Sequence, residues 1–140
     1  KKAAIYKSFK HSQFPWILST DADCIIPQNW LKVLNEFINK ENPLMVSMPV
    51  LFINKNKSYW NNWLNLEFSG LIAIGGAGIK SGLINNCNAA NLAYTREIFQ
   101  EFNQFEKYAH LPGGDDVFFF HQVYSHYPAR VKFLKSMEVC

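Results

Sequence analysis

An α/β fold, built on a mixed and mostly parallel sheet with helices around it, is what this sequence predicts. Three observations carry the prediction. Short apolar runs alternate along the chain with segments that repeat at helical spacing. The first such run, residues 14–18, is bulky, too short for a helix, and gives way at once to the small polar and acidic residues Ser19, Thr20, Asp21, Ala22 and Asp23. And 49% hydrophobic residues against 18% charged ones supply a substantial core.

The end of that first strand is also where chemistry is expected. In open α/β sheets, ligands bind in the crevice beyond the carboxyl ends of the strands. Asp21 and Asp23 stand at that edge, and if the chain stays extended, residues two apart point the same way. Two carboxylates facing one cleft suit Mg²⁺ or Mn²⁺, hard ions that take carboxylate, phosphate and water oxygens. A diphosphate carried on such a metal is the ligand class this implies. An Asp-Xaa-Asp triplet also serves as a turn former or helix cap, so the rest of the chain must decide.

The elements follow in order. Residues 2–10 alternate small, apolar and basic side chains at helical spacing and lead into the first strand. Pro27 sits near the first turn of a helix whose apolar face is Trp30, Leu31, Leu34, Phe37 and Ile38, and residues 39–43 end it. Residues 44–50 read as a second buried strand closed by Pro49. After a polar turn at residues 55–58, a helix spans residues 59–74. Its broad stripe of Tyr59, Trp60, Trp63, Leu64, Leu66, Leu71 and Ile72 reads mostly as core. Gly75, Gly76 and Gly78 are expected to break that helix into a flexible connection. They lack the Gly-Lys-Ser/Thr ending and the strand-before, helix-after context of a phosphate loop. Residues 83–94 are small and polar and would let backbone approach a ligand closely, with Thr95 capping a short helix. Gly113 and Gly114 deliver Asp115 and Asp116 to the start of an apolar helix running to about Tyr124, and residues 130–134 form a last strand.

Bulk properties narrow the function. A net charge of +3 suits an anionic ligand but does not argue for nucleic acid, and no basic helix or RNA-binding motif is present. Cys24, Cys87 and Cys140 have neither zinc-site nor disulfide spacing and read as reduced thiols of a cytosolic domain. Aromatic residues reach 16%, which implies a bulky core, a sugar- or lipid-facing groove, or a surface covered by other chain. The longest weakly charged stretch, residues 68–78, is too short for a membrane span. Residues 1–140 read as one partial domain of a longer protein.

Two carboxylate pairs thus stand about ninety residues apart, one after a strand and one opening a helix. The second suits general-base work, since a carboxylate at a helix N-terminus is favoured in its charged form. In this order the pieces resemble the family 2 glycosyltransferases of GT-A, Rossmann-like fold. Lys1, Lys2, Ala3 and Ala4 look like that family's Gly-Lys-Xaa-Xaa-Ala-Leu helix. Residues 17–23 resemble its strand and Asp-Xaa-Asp motif, residues 88–96 its Gly-Ala-Asn-Leu-Ala-Tyr-Arg-Arg segment, and residues 114–117 its Gly-Glu-Asp motif. Ala89 stands where the family has glycine, and Asp115 where it has glutamate. The Gln-Xaa-Xaa-Arg-Trp motif of processive members is not found. The strand that grips the nucleotide base is not found either, which leaves the base unreadable.

The resemblance implies an inverting, metal-dependent hexosyltransferase-like enzyme. Its donor would be a UDP-, GDP- or dTDP-sugar, its acceptor a hydroxyl of a glycan or lipid-linked molecule, and its role cell-envelope polysaccharide synthesis. On that resemblance Asp23 ligates Mn²⁺ or Mg²⁺, with Asp21 supporting it through waters or the ribose. Asp116 is the catalytic base, Asn91 and Asp115 bind sugar or acceptor, and Lys2 reaches the nucleotide. The implied location is the cytoplasm, with membrane association through regions outside this chain. Two rivals stay open: a noncatalytic sugar-nucleotide-binding domain of the same fold, and a nucleotidyltransferase with a carboxylate-held metal.

Overall fold

The computed structural model describes residues 7, 9, 11–53, 58–83, 87–102 and 115–140, and of Asp115 and Asp116 it describes the backbone only. Four strands form one sheet: β1 (Trp16–Thr20), β2 (Met45–Ser47), β3 (Asn91–Thr95) and β4 (Val131–Phe133), in the spatial order β1-β3-β2-β4. β3 pairs antiparallel with both β1 and β2, while β2 and β4 are parallel. Three strands therefore run one way and β3 alone runs back between them. The sheet is mixed, as expected, and mostly parallel in strand direction, yet two of its three ladders are antiparallel because the reversed strand lies inside.

Flanking the sheet are the helices α1 (Trp30–Glu41), α2 (Tyr59–Ser81), α3 (Arg96–Phe102) and α4 (Asp115–His126). Alternation along each strand sends neighbours to opposite faces. On one face Met45, Leu92, Tyr94 and Val131 meet Ile79 of α2, Ile98 and Phe99 of α3, and Phe120 and Val123 of α4. On the other, Val46, Met48 and Ala93 meet Trp30 and Leu34 of α1 and Val139 near the C-terminus. The helices thus divide between the two faces, each closing its own apolar layer.

Helix ends follow their local chemistry. α1 stops where Asn42 turns left-handed (φ 45°) and its N–H still reaches the Ile38 carbonyl. Arg130 then donates to the Asn42 backbone and side-chain oxygens, holding that corner to the entry of β4. Thr95 caps α3 as expected, its hydroxyl accepting from the Ile98 N–H at 3.3 Å. The Ser58 hydroxyl accepts from the Asn61 N–H at the start of α2.

Two expectations are corrected on α2. It does not break at Gly75, Gly76 and Gly78 but runs on to Ser81 and ends at Gly82, whose φ of 81° suits glycine. Gly76 is there for space: a Cβ at that position would lie 2.7 Å from the Phe133 ring, so the helix can rest on β4 only without one. Nor is the apolar stripe mostly core. Tyr59, Trp60, Trp63, Leu64, Leu66 and Leu71 are exposed, while Gly76, Gly78 and Ile79 are the buried residues of the helix. The helix packs along its glycine side, and its bulkier side faces out. On α1, Leu31 is likewise exposed rather than part of the buried face.

Candidate active site at the carboxyl edge of the sheet

β1 ends at Thr20, and the chain turns at once. The Cys24 N–H donates to the Asp21 carbonyl at 3.2 Å, closing a turn over residues 21–24. The extended conformation invoked to align Asp21 with Asp23 therefore does not persist past Thr20. Both carboxylates nevertheless line one groove, because the turn lies at its lip. Asp23 is exposed and Asp21 partly buried.

The second segment arrives through strand register. Thr20 pairs with Asn91, so the end of β1 lies beside the start of the reversed strand β3. The turn that leads into β3 is built by Asn88: its side-chain oxygen accepts from the Ala90 N–H at 2.9 Å, and its carbonyl accepts from the Asn91 N–H at 3.2 Å. Ser19 donates its hydroxyl to the Ala89 carbonyl at 3.0 Å and clips this turn to β1. Two motifs some seventy residues apart in sequence thus become adjacent walls of one groove.

The groove has a volume of about 560 Å³. Its lining comes from the carboxyl edge of β1, β2 and β4 and the amino edge of β3. Thr20, Asp21, residues 23–27 and 49–53, Asn88, Ala90 and Asn91 contribute, together with Phe68 and the C-terminal Met137, Val139 and Cys140. Burial pushes the Cys140 thiol above its ordinary value, which keeps it protonated and a poor nucleophile.

Asn91 holds this edge together. It is buried, its amide donates to the carbonyls of Pro49 (2.7 Å) and Val139 (2.6 Å), and its Oδ1 accepts the Trp30 indole N–H at 3.0 Å. Both amide hydrogens are therefore committed inside the protein, so Asn91, which also lines the groove, holds the segments around it in place. The Trp30, Asn88 and Ser19 roles were missed in the sequence. Only Asn88 carried a signal, as an asparagine three residues before the strand β3.

The remaining assigned residues divide. Asp115 and Asp116 are the first residues of α4, with their side chains outside the described part. Lys2 also lies outside the described residues. Among the described residues no cluster of three or more His, Cys, Asp or Glu gathers that could hold a metal alone. Asp21 and Asp23 are instead a pair of hard oxygen donors, a set that fits a divalent ion completing its shell with phosphate and water oxygens. Among the described residues no helix is long and apolar enough to cross a membrane.

No curated protein shows significant similarity to the chain. The model of the glycosyl transferase family 2 matches residues 1–103, a span that includes the turn at Asp21 and Asp23, β3 and the whole of α3, and that ends before Asp115. With a four-stranded mixed sheet, helices on both faces and a groove at its carboxyl edge, this chain belongs to glycosyl transferase family 2.

Proposed function

We propose that the protein transfers a sugar, with inversion, from a nucleotide-sugar donor to a hydroxyl acceptor. The observation that carries this reading is the convergence of the Asp21 and Asp23 turn with the Asn88 turn on one groove at the carboxyl edge of the sheet. Asp23, with Asp21 behind it, would hold Mg²⁺ or Mn²⁺, which when bound supplies charge neutralisation for the departing diphosphate.

The chain's own residues do the rest. Ser19 and Asn88 fix the backbone beside the carboxylates, and Asn91 anchors the groove's floor. Asp116 takes the proton from the acceptor hydroxyl, and the oxygen attacks the anomeric carbon from the face opposite the leaving group. The new glycosidic C–O bond forms as the bond to the diphosphate breaks, its electron pair leaving with the nucleoside diphosphate. At a helix N-terminus a carboxylate is favoured in its charged form, the state a base requires. Asp115 and Lys2 belong to the same reading as contacts to acceptor and nucleotide, at the cytoplasmic face of a cell that builds surface polysaccharide.

Calorimetric titration of the full-length protein with a panel of UDP-, GDP- and dTDP-sugars, with and without Mn²⁺, tests the donor site. Binding should require Mn²⁺ and vanish in Asp23→Ala. Asp116→Asn should keep donor binding while transfer falls about a hundredfold or more. Metal-independent binding, or none from a folded protein, would favour a noncatalytic domain. Release of pyrophosphate instead of nucleoside diphosphate would identify a nucleotidyltransferase.

A further inference from the structure

The groove is chemically divided. Its polar side chains come from two turns at the sheet edge: Thr20, Asp21 and Asp23 on one, Asn88 and Asn91 on the other. Away from that edge the wall is hydrocarbon, formed by Ile25, Leu51, Phe52, Ile53 and Phe68, with Phe52 and Phe68 in ring contact at 4.2 Å between centroids. Ile25 is 72% exposed, Ile53 69% and Phe52 55%, so these side chains line the groove without being packed away. Their exposure leaves apolar area in water that a ligand could cover.

Among the described residues of this wall, a soluble oligosaccharide would meet no hydrogen-bonding side chain. Buried hydroxyls without partners are costly, so such an acceptor is poorly served here. A molecule with a hydroxyl head and a hydrocarbon tail fits both ends at once. On the glycosyl-transfer reading of this groove, we infer that the acceptor is amphiphilic. Its hydroxyl lies toward the carboxylates and its alkyl chain on the wall made by residues 50–53, Ile25 and Phe68. The transfer is the one already balanced, with the proton passing to Asp116 and the diphosphate leaving.

The test uses dodecyl maltoside below its micelle concentration and maltose as paired probes, titrated into the full-length protein. The alkylated probe should bind at least about tenfold more tightly, the size expected when several methylenes leave water. Ile25→Asp and Ile53→Asp should each erase most of that preference, and because both residues are exposed, their melting temperatures should stay near the parent's. Leu31→Asp, an exposed leucine outside the groove, should leave it intact and thereby excludes nonspecific adsorption. Equal affinity for the two probes, or a preference that survives both groove substitutions, would overturn the inference. Nucleotide-sugar titration of the same samples keeps the two readings apart. Donor binding without alkyl preference sinks the amphiphilic acceptor alone, and alkyl preference without donor binding sinks the transferase reading on which it rests.

Discussion

Asn91 carries more of the site's geometry than its size implies. Removing its amide in Asn91→Ala would strand the Trp30 indole N–H and the carbonyls of Pro49 and Val139 in the interior. Each buried group left without a partner costs on the order of 1 kcal/mol or more, so urea unfolding should show a loss of about 2–3 kcal/mol. Asn91→Asp should be no rescue, since a carboxylate cannot donate to two carbonyls. Tyr94 offers a second test at this scale. Burial pushes its hydroxyl up to about 12, from an ordinary 10.0. The folded state therefore holds the proton that the unfolded chain releases, and the stability linked to it is fully present below pH 10.0 and is lost as pH rises toward about 12. Denaturant melts across that window should show falling stability, and Tyr94→Phe should flatten the slope.

Among the elements, α2 is where packing overrules pattern, and two of its glycines should behave oppositely. A methyl group at Gly70 would have nothing within 4 Å, so Gly70→Ala should stabilise the helix by about 0.5–1 kcal/mol. Gly76→Ala would drive a methyl into the Phe133 ring and should cost about 1–3 kcal/mol, a loss that thermal melts would show and that Phe133→Leu should partly relieve. Read as a sequence, Gly76 and its neighbours Gly75 and Gly78 were breakers, because local propensity carries no information about a ring that arrives much later in the chain. β3 was hidden for a related reason. Asn91 to Thr95 alternate Leu92 and Tyr94 against Ala93, a strand pattern in retrospect. Both faces are buried, however, so small residues sit where solvent-facing polar ones usually mark a strand. By contrast β1, α1, β2, α4 and β4 were legible, since each carries its own periodicity and its own stop signal. The place of Asp21 and Asp23 at the end of β1 was legible, while their neighbourhood with Asn88 was not, since strand register alone creates it.

For the molecule as a whole, the groove draws its walls from the end of β1, the segment after β2, the start of β3, the turn before α1, the middle of α2 and the C-terminal segment. A ligand seated there touches both sheet faces' supporting elements and binds only the assembled fold. Saturating nucleotide sugar with Mn²⁺ should therefore raise the melting temperature of the entire transition, by an amount that grows with ligand concentration as mass action requires. Differential scanning fluorimetry at two concentrations would read it. An early separate transition unaffected by ligand would argue instead that the groove's walls melt independently.

The place of β3 has a consequence for how the chain comes to be folded at all. β1 and β2 do not touch; each is paired to β3, which is made more than forty residues after β2. Among the described residues, then, β1 and β2 find no strand partner until β3 has been made, and the edges that β3 will cover stay open until that point. Such late, long-range closure is slow and exposes sticky backbone while it lasts. When residues 91–95 emerge, a single strand insertion joins the sheet and brings the two halves of the carboxylate groove together. The groove is thus gained in one step with β3, because without that strand nothing in the sheet holds the Asp21 turn beside the Asn88 turn.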